Sequence, residues 1–317
     1  MAAMRILVAG DICLDRWCHY DPDLSIPSRE TGIPRIAVTS TVNTPGAAGT
    51  VAVNLRSLGA REVKVLGAIG DDGHGFELRQ ALAKRGIAAD LLATEPGFAT
   101  FTYTKLLNAN LEVEDLPRVD FINSTAIPAG LEERICSMLD AAHDYDLICV
   151  SDQAETDQGG VITARVRQRL AELAVKHNQL VWVDSRRRVE QFERAVLKVN
   201  HDEAAEARGR SGAASLEELR YRVKAPALFV THSGNGIQII NDDGETWVMT
   251  RKVLDPIDVC GAGDSFTAGA ACALAGGATP EAAARLGHLV ASVTIMKKGT
   301  GFALPQELLE AERQLNQ

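Results

Sequence analysis

Short apolar runs that stop abruptly at an acidic residue recur along this chain, and they limit its fold more than any other feature. Ile6-Leu7-Val8-Ala9 ends at Gly10-Asp11, and Val63 to Gly70 ends at Asp71. Leu147 to Val150 ends at Ser151-Asp152, and Leu180 to Val183 ends at Asp184. Such runs are short and uniformly apolar, the form of a strand buried on both faces. Helical segments lie between them, at Phe76 to Arg85, Leu131 to Ala142 and Val161 to His177. Strands alternating with helices predict an α/β fold. In an open sheet of this kind ligands bind beyond the strand C-termini, where these aspartates collect. Asp11 and the following Asp15 are therefore candidate contacts for a hydroxylated substrate. The alternative is that Asp11 shapes a turn and Asp15 is solvated.

Two segments depart from the alternation. Residues 17–42 lack helical periodicity and carry Pro22, Pro27 and Pro34, with a half-exposed strand pattern at Ile36 to Val42. Residues 98–121 alternate through Thr100, Phe101, Thr102, Tyr103 and Thr104. Two such excursions predict one small sheet outside the main one, and a covering lid is its natural use.

Composition narrows the function. Of 317 residues 46% are hydrophobic and 24% charged, with a formal net charge of -9, which argues against wholesale electrostatic binding of nucleic acid or anionic membrane. No apolar run reaches the length of a membrane span. The start of the chain reads as a strand, not a signal peptide. The six cysteines have no metal-type spacing and read as free thiols in a reducing cytoplasm.

The richest stretch is Asp258-Val259-Cys260-Gly261-Ala262-Gly263-Asp264-Ser265-Phe266-Thr267-Ala268-Gly269. Helical propensity rises after Asp264 and ends at Gly276-Gly277, so the glycines lie at a helix N-terminus. Unpaired N–H groups and the helix dipole favour an anion there. A carboxylate at that place normally only caps the helix. Beside an anion site it is also a potential base, as phosphoryl transfer to a hydroxyl requires. Elsewhere, Pro45-Gly46-Ala47-Ala48-Gly49-Thr50 leads into an apolar helix, and small residues there admit either a ligand or a neighbouring helix. Asn200 and Glu203 have the spacing of a capping box. His232 to Gly236 is a tight turn into a hairpin. Arg186-Arg187-Arg188 reads as a solvated loop, with anion contact left open.

Several of these features, in order, resemble the PfkB family of carbohydrate kinases. Asp258 to Ala271 is similar to that family's C-terminal signature and Pro45 to Thr50 to its N-terminal glycine-rich signature. Gly70 to Gly75 is similar to its Gly-x-Asp-x-x-Gly turn, Asn200 to Glu203 to its Asn-x-x-Glu motif, and Thr231 to Gly236 to its nucleotide loop. Pro34-Arg35-Ile36, Thr104-Lys105, Arg118 to Phe121 and Lys298-Gly299-Thr300 look most like the sugar kinases of ADP-heptose synthesis. The resemblance implies a ribokinase-like α/β/α fold with a mostly parallel central sheet. It also implies one kinase domain over 1–317, with a β-lid from about 12–42 and 98–122. The implied reaction is ATP- and Mg²⁺-dependent phosphorylation of a sugar or sugar phosphate in the cytoplasm. Asp264 would be the general base, with the N–H groups of Gly261, Ala262 and Gly263 as anion hole. Asp11, Asp15, Gly46, Ala47 and Thr50 would face the sugar. Asn200, Thr231, Ser233 and Gly234 would line the nucleotide, and Glu203 would act on Mg²⁺ through water. Asp258, Cys260, Met296 and Gly299 would hold a monovalent cation such as K⁺. A homodimer through the lid is also expected, because lid strands with a free edge commonly pair with a second copy.

The chain departs from the family pattern in two places. Ala47 and Thr50 stand where a glycine and an asparagine are usual, and Gln153-Ala154-Glu155 where an aromatic-glycine-lysine stretch is usual. The second change removes a positive charge from the acceptor side and weighs against a phosphorylated acceptor, with Arg186 as a possible substitute. The alternatives are a nucleoside or vitamin-precursor kinase of the same fold, or a non-catalytic sugar- or nucleotide-binding protein.

Overall fold

The structure is a computed structural model and describes residues 2–156 and 158–315. In chain order, β1 (Arg5–Gly10) enters the core, and β2 (Ile12–Tyr20) and β3 (Val38–Ala47) leave it. α1 (Ala48–Ser57), β4 (Glu62–Gly70), α2 (Gly73–Lys84) and β5 (Ala88–Glu95) follow. β6 (Thr102–Asn108), β7 (Val113–Glu114) and β8 (Val119–Phe121) form the second excursion. Alternation resumes with α3 (Ala129–Asp140), β9 (Leu147–Asp152), α4 (Ala164–Lys176), β10 (Val181–Ser185) and β11 (Val196–Asn200). Next come α5 (His201–Ser211), α6 (Leu216–Arg222), β12 (Ala227–Thr231), β13 (Ile237–Asn241) and β14 (Gly244–Val248). The chain closes with α7 (Ala262–Ala275), α8 (Pro280–Thr294) and α9 (Pro305–Leu315).

The central sheet has the order β14-β13-β12-β11-β10-β9-β1-β4-β5. It is parallel from β12 to β5, and β13 and β14 form an antiparallel hairpin at one edge. Alternate residues of each strand feed two cores. On β1, Leu7 and Ala9 pack with α3 and α4, whereas Ile6 and Val8 pack with α1, α7 and α8. On β10, Val181 and Val183 join the first group and Trp182 the second. Burial on both faces is why these strands read as continuous apolar runs. The result is the expected three-layer α/β/α arrangement.

The two excursions pair as a second sheet, β3-β2-β6-β7, with β8 also on β6. β3 runs on to Ala47, so Pro45-Gly46-Ala47 belongs to a strand and not to the loop its small residues suggest. Ala47 then turns directly into α1.

A buried amide ties the sheet layers to the end of the chain. Asn54 of α1 is fully buried. Its Nδ2 donates to the Thr50 carbonyl at 3.1 Å and the Gly301 carbonyl at 3.3 Å, and lies 3.4 Å from Ser265 Oγ. Its Oδ1 accepts from the Ala303 N–H at 3.2 Å. Asn54→Ala leaves several of these groups buried without partners and should cost roughly 2–4 kcal/mol. Urea unfolding measures this, and a loss below about 1 kcal/mol would mean that water replaces the amide.

Candidate active site

Two cavities open beyond the C-terminal ends of the parallel strands, and the head of α7 stands between them. The first is lined by Asp15 and Trp17 of β2, Tyr103 and Lys105 of β6, Arg118, Gln153, Arg186 and Thr300, together with Gly261 and Asp264. The second is roomier, about 410 Å³ against about 90 Å³. Lys198, Asn200, Thr231, Ser233 and Gly234 give it a polar wall. Ile237, Val259, Phe266, Ala291 and Ile295 give it an apolar one, and it reaches Ala262 and Gly263.

The turn into α7 is built around open donors. Gly261 has φ 76, in the left-handed region. A Cβ there would meet the Thr50 methyl at 3.2 Å. The N–H groups of Gly261, Gly263 and Asp264 find no acceptor among the described residues, whereas Ala262 N–H donates to the Val259 carbonyl at 3.2 Å. The expected donor set is corrected accordingly, with Asp264 taking the place of Ala262. Three free N–H groups at the positive end of a 14-residue helix make a site for negative charge.

A buried ion pair lies beneath that turn. Lys198 and Asp184 face each other across β11 and β10. Lys198 Nζ donates to Asp184 Oδ2 at 2.7 Å, and Thr267 Oγ1 of α7 donates to the same oxygen at 3.2 Å. A Cβ on Gly263 would come within 2.9 Å of Lys198 Nζ, so the ammonium lies directly against the open donors. Burial works to lower the Lys198 pKa, but Asp184, Glu203 and Asp264 outweigh it and the net shift is upward. Lys198 is not among the residues read from the sequence. The available signal was a lysine inside an apolar strand, a charge that burial obliges to find a partner.

Asp264 is half-buried beside this pair. Loss of hydration first, and the Asp184 charge second, push its carboxyl up to about 8, against the pull of Lys198 and Arg186. A carboxylate poised near neutrality is matched to taking a proton from an alcohol. Asp15, across the first cavity, is raised by burial to about 6, with Lys105, Arg118 and Arg186 opposing. Gly46 is required beside it, because a Cβ there would fall 2.3 Å from Asp15 Oδ1. Ala47 also lines this cavity and has φ 51, a conformation that glycine adopts without strain.

Two expected substrate contacts are corrected. Asp11 is buried and turned away from the first cavity. Its Oδ2 accepts from Gln153 and Ala154 N–H at 2.9 Å each, and its Oδ1 from Val161 N–H at 3.0 Å. It therefore shapes the loop that carries Gln153. The Thr50 hydroxyl is spent on the Pro45 carbonyl at 3.1 Å, and its methyl supports Gly261.

Asn200 and Glu203 form the expected capping box. Asn200 Oδ1 accepts from Glu203 N–H at 2.9 Å, and Glu203 Oε2 accepts from Asn200 N–H at 2.8 Å. Asn200 also lines the second cavity. The Glu203 pKa is raised by burial and then by Asp184. Asp258 Oδ1 accepts from Cys260 N–H at 2.9 Å and its Oδ2 from Gly299 N–H at 3.1 Å, which ties two turns together. The carbonyls of Cys260, Met296 and Gly299 accept no hydrogen bond among the described residues. Among the described residues no group of three or more His, Cys, Asp or Glu side chains is placed to hold a metal. Of the arginine run, Arg188 pairs with buried Asp152 at 2.6 Å, and Arg186 reaches the first cavity.

Comparison with known proteins adds an independent line. The model of the pfkB family carbohydrate kinases matches residues 7–307. The bifunctional protein HldE of Trichlorobacter lovleyi is 29% identical over 319 residues, covering 98% of this chain and 63% of that protein. The HldE of Nitrobacter hamburgensis is 32% identical over 336 residues, covering 100% of this chain and 67% of that protein. The chain thus spans roughly two thirds of the length of these relatives. Escherichia coli phosphofructokinase-2 in complex with potassium superposes with a TM-score of 0.75 at 18% identity, covering 99% of this chain and 100% of that one. Arabidopsis thaliana ribokinase complexed with ribose and ATP superposes at 0.70 and 16%, covering 98% of each chain. These two likenesses establish the fold.

The raised Asp264 pKa has a consequence for stability. Between about 4, the ordinary carboxyl value, and about 8, the folded chain holds a proton that the unfolded chain has released. That contribution is complete below about pH 4 and is lost as pH rises through about 8. Asp264→Asn should therefore flatten the fall of Tm between about pH 5 and pH 9 and raise Tm at the alkaline end. Calorimetry across that range tests it, and parallel wild-type and variant curves would mean that the carboxyl ionises normally.

Proposed function

This chain belongs to the pfkB family of carbohydrate kinases, and on that premise we propose that it transfers the γ-phosphate of ATP to a hydroxyl of a phosphorylated sugar. The observation that carries the reading is the position of α7. Its head lines both cavities, with Gly261 and Asp264 on one side and Ala262 and Gly263 on the other. An acceptor in the first cavity and a nucleotide in the second would meet at the open N–H groups.

In this reading Asp15, Gly46 and Ala47 orient the sugar, and Asp264 takes the proton of the attacking hydroxyl. The oxygen then bonds to the γ-phosphorus as the bond to the ADP oxygen breaks. Negative charge on the transferring group is held by the N–H groups of Gly261, Gly263 and Asp264 and by Lys198. Each such donor is commonly worth about a hundredfold or more in rate. Thr231, Ser233 and Gly234 line the nucleotide, with the base against the apolar wall along α8. Mg²⁺ on the nucleotide phosphates would be held on the Asn200 and Glu203 side, Glu203 through water, and would neutralise phosphate charge there. The half-buried Glu203 carboxylate has one oxygen outside the capping box, which suits that role. The uncommitted carbonyls of Cys260, Met296 and Gly299 would hold a monovalent cation such as K⁺, with Asp258 fixing the Cys260 and Gly299 turns.

Three cations, Lys105, Arg118 and Arg186, line the first cavity. Each is paired with a carboxylate, and a phosphate group is the acceptor feature that could exchange for such a partner at an arginine fork. That favours the phosphorylated acceptor over the nucleoside alternative, and the retained Asp264 argues against a binding protein without catalysis. The second sheet would act as a lid over the acceptor. Its outer strand β3 has a free edge with Val38 and Val42 exposed, and this supports a homodimer joined there.

Asp264→Asn should retain ATP affinity and lower kcat by about 10²–10⁴. A kcat near wild type in a coupled ADP assay with sugar phosphates would move the base elsewhere. For the dimer, sedimentation velocity should give a two-chain species that Val42→Lys dissociates; a monomeric wild type would remove the lid interface.

A further inference from the structure

We propose that Glu155 is a specificity-determining residue that sets the charge preference of the acceptor cavity by competing with the acceptor's anionic group for Arg186. The inference rests on the reading of the first cavity as the acceptor site. Each cation of that cavity is matched by a carboxylate at its rim: Lys105 with Glu114 at 3.4 Å, Arg118 with Asp120 at 2.7 Å, and Arg186 with Glu155 at 2.7 Å. The first two pairs lie within or beside the second sheet. The third joins the loops that follow β9 and β10, which form the floor of the site.

Several features make the Arg186–Glu155 pair exchangeable. The two side chains are 48% and 60% exposed, and an ion pair so open to water contributes little by itself. The Arg186 backbone is nevertheless held in place, because its N–H donates to the Asp152 carbonyl at 3.1 Å. The Glu155 backbone is tethered as well, its carbonyl accepting from Arg187. A phosphate offers the Arg186 fork a more highly charged, bidentate partner than a single carboxylate does. Binding would then displace the Glu155 side chain from Arg186 while its backbone stays fixed. The displaced carboxylate remains close, since Glu155 lines a small adjoining cavity with Tyr103, Asp120 and Thr156. Its charge is felt by both Arg118 and Arg186. Glu155 thus opposes an anionic acceptor twice, by occupying its cation and by repelling it afterwards. A neutral acceptor meets neither cost.

The test is calorimetric binding of mannose 6-phosphate, inorganic phosphate and mannose to wild type, Glu155→Gln, Arg186→Gln and the double variant, at low salt. Glu155→Gln should tighten both phosphates about fivefold and leave mannose within about twofold. The gain should vanish in the Arg186→Gln background. No gain, an equal gain for mannose, or a gain that persists without Arg186 would each overturn the proposal. Because the readout is binding, it stands apart from catalysis. ATP turnover by wild type on no sugar phosphate would count against the kinase reading alone.

Discussion

The Lys198–Asp184 pair beneath the head of α7 is the constraint on which the site depends. Neither charge is tolerable there alone, since an unpaired buried ion costs several kcal/mol. Together, with Thr267 as a third partner, they join two parallel strands to the helix whose N–H groups remain open. The pair also sets the electrostatics of its neighbours. Asp184 raises the Asp264 pKa, Lys198 lowers it, and Lys198 keeps its own charge beside Gly263. A negative phosphoryl group arriving at the turn would find a lysine already charged and three donors already oriented, and little would have to reorganise.

Around that centre, polar side chains act mostly on the backbone. Asp11 holds the 153–161 loop through three N–H groups, Asp258 joins the 260 and 299 turns, and Asn54 fastens α1 to the last segment of the chain. Each sits where irregular backbone would otherwise be buried with unpaired groups. The cavities are shaped by these tethers as much as by the residues that line them. This is why Gln153 and Gly261 reach the first cavity although neither belongs to a strand or helix of its own.

Much of the architecture was legible in advance. Strands buried on both faces cannot hide their apolar runs, and the 262–275 helix announced itself by its alanines and closing glycines. The capping box at Asn200 and Glu203 was legible because both of its halves are local. Sequence and structure part where an acidic or hydroxyl side chain has more than one available partner. Motif position points Asp11 and Thr50 toward the sugar, but backbone N–H groups of Gln153, Ala154 and Val161 engage Asp11, and the Pro45 carbonyl accepts from Thr50. Motif position makes Ala262 an open donor, but the left-handed turn at Gly261 gives its N–H to the Val259 carbonyl. Lys198 went unread because a strand lysine looks like surface until its cross-strand neighbour is known.

The sequence by itself determined the layer order, the small second sheet, the family and the stretch around Asp264, because each rests on periodicity or on contiguous motifs. Tertiary structure alone decided which carboxylates face the cavities and which fasten loops, and that a lysine and an aspartate 14 residues apart share one buried site. It also decided that Arg186 meets Glu155 beside the first cavity. The physical reason is the same in each case: a charged side chain's role follows from its partners in space, and strand register brings those partners together across the sheet.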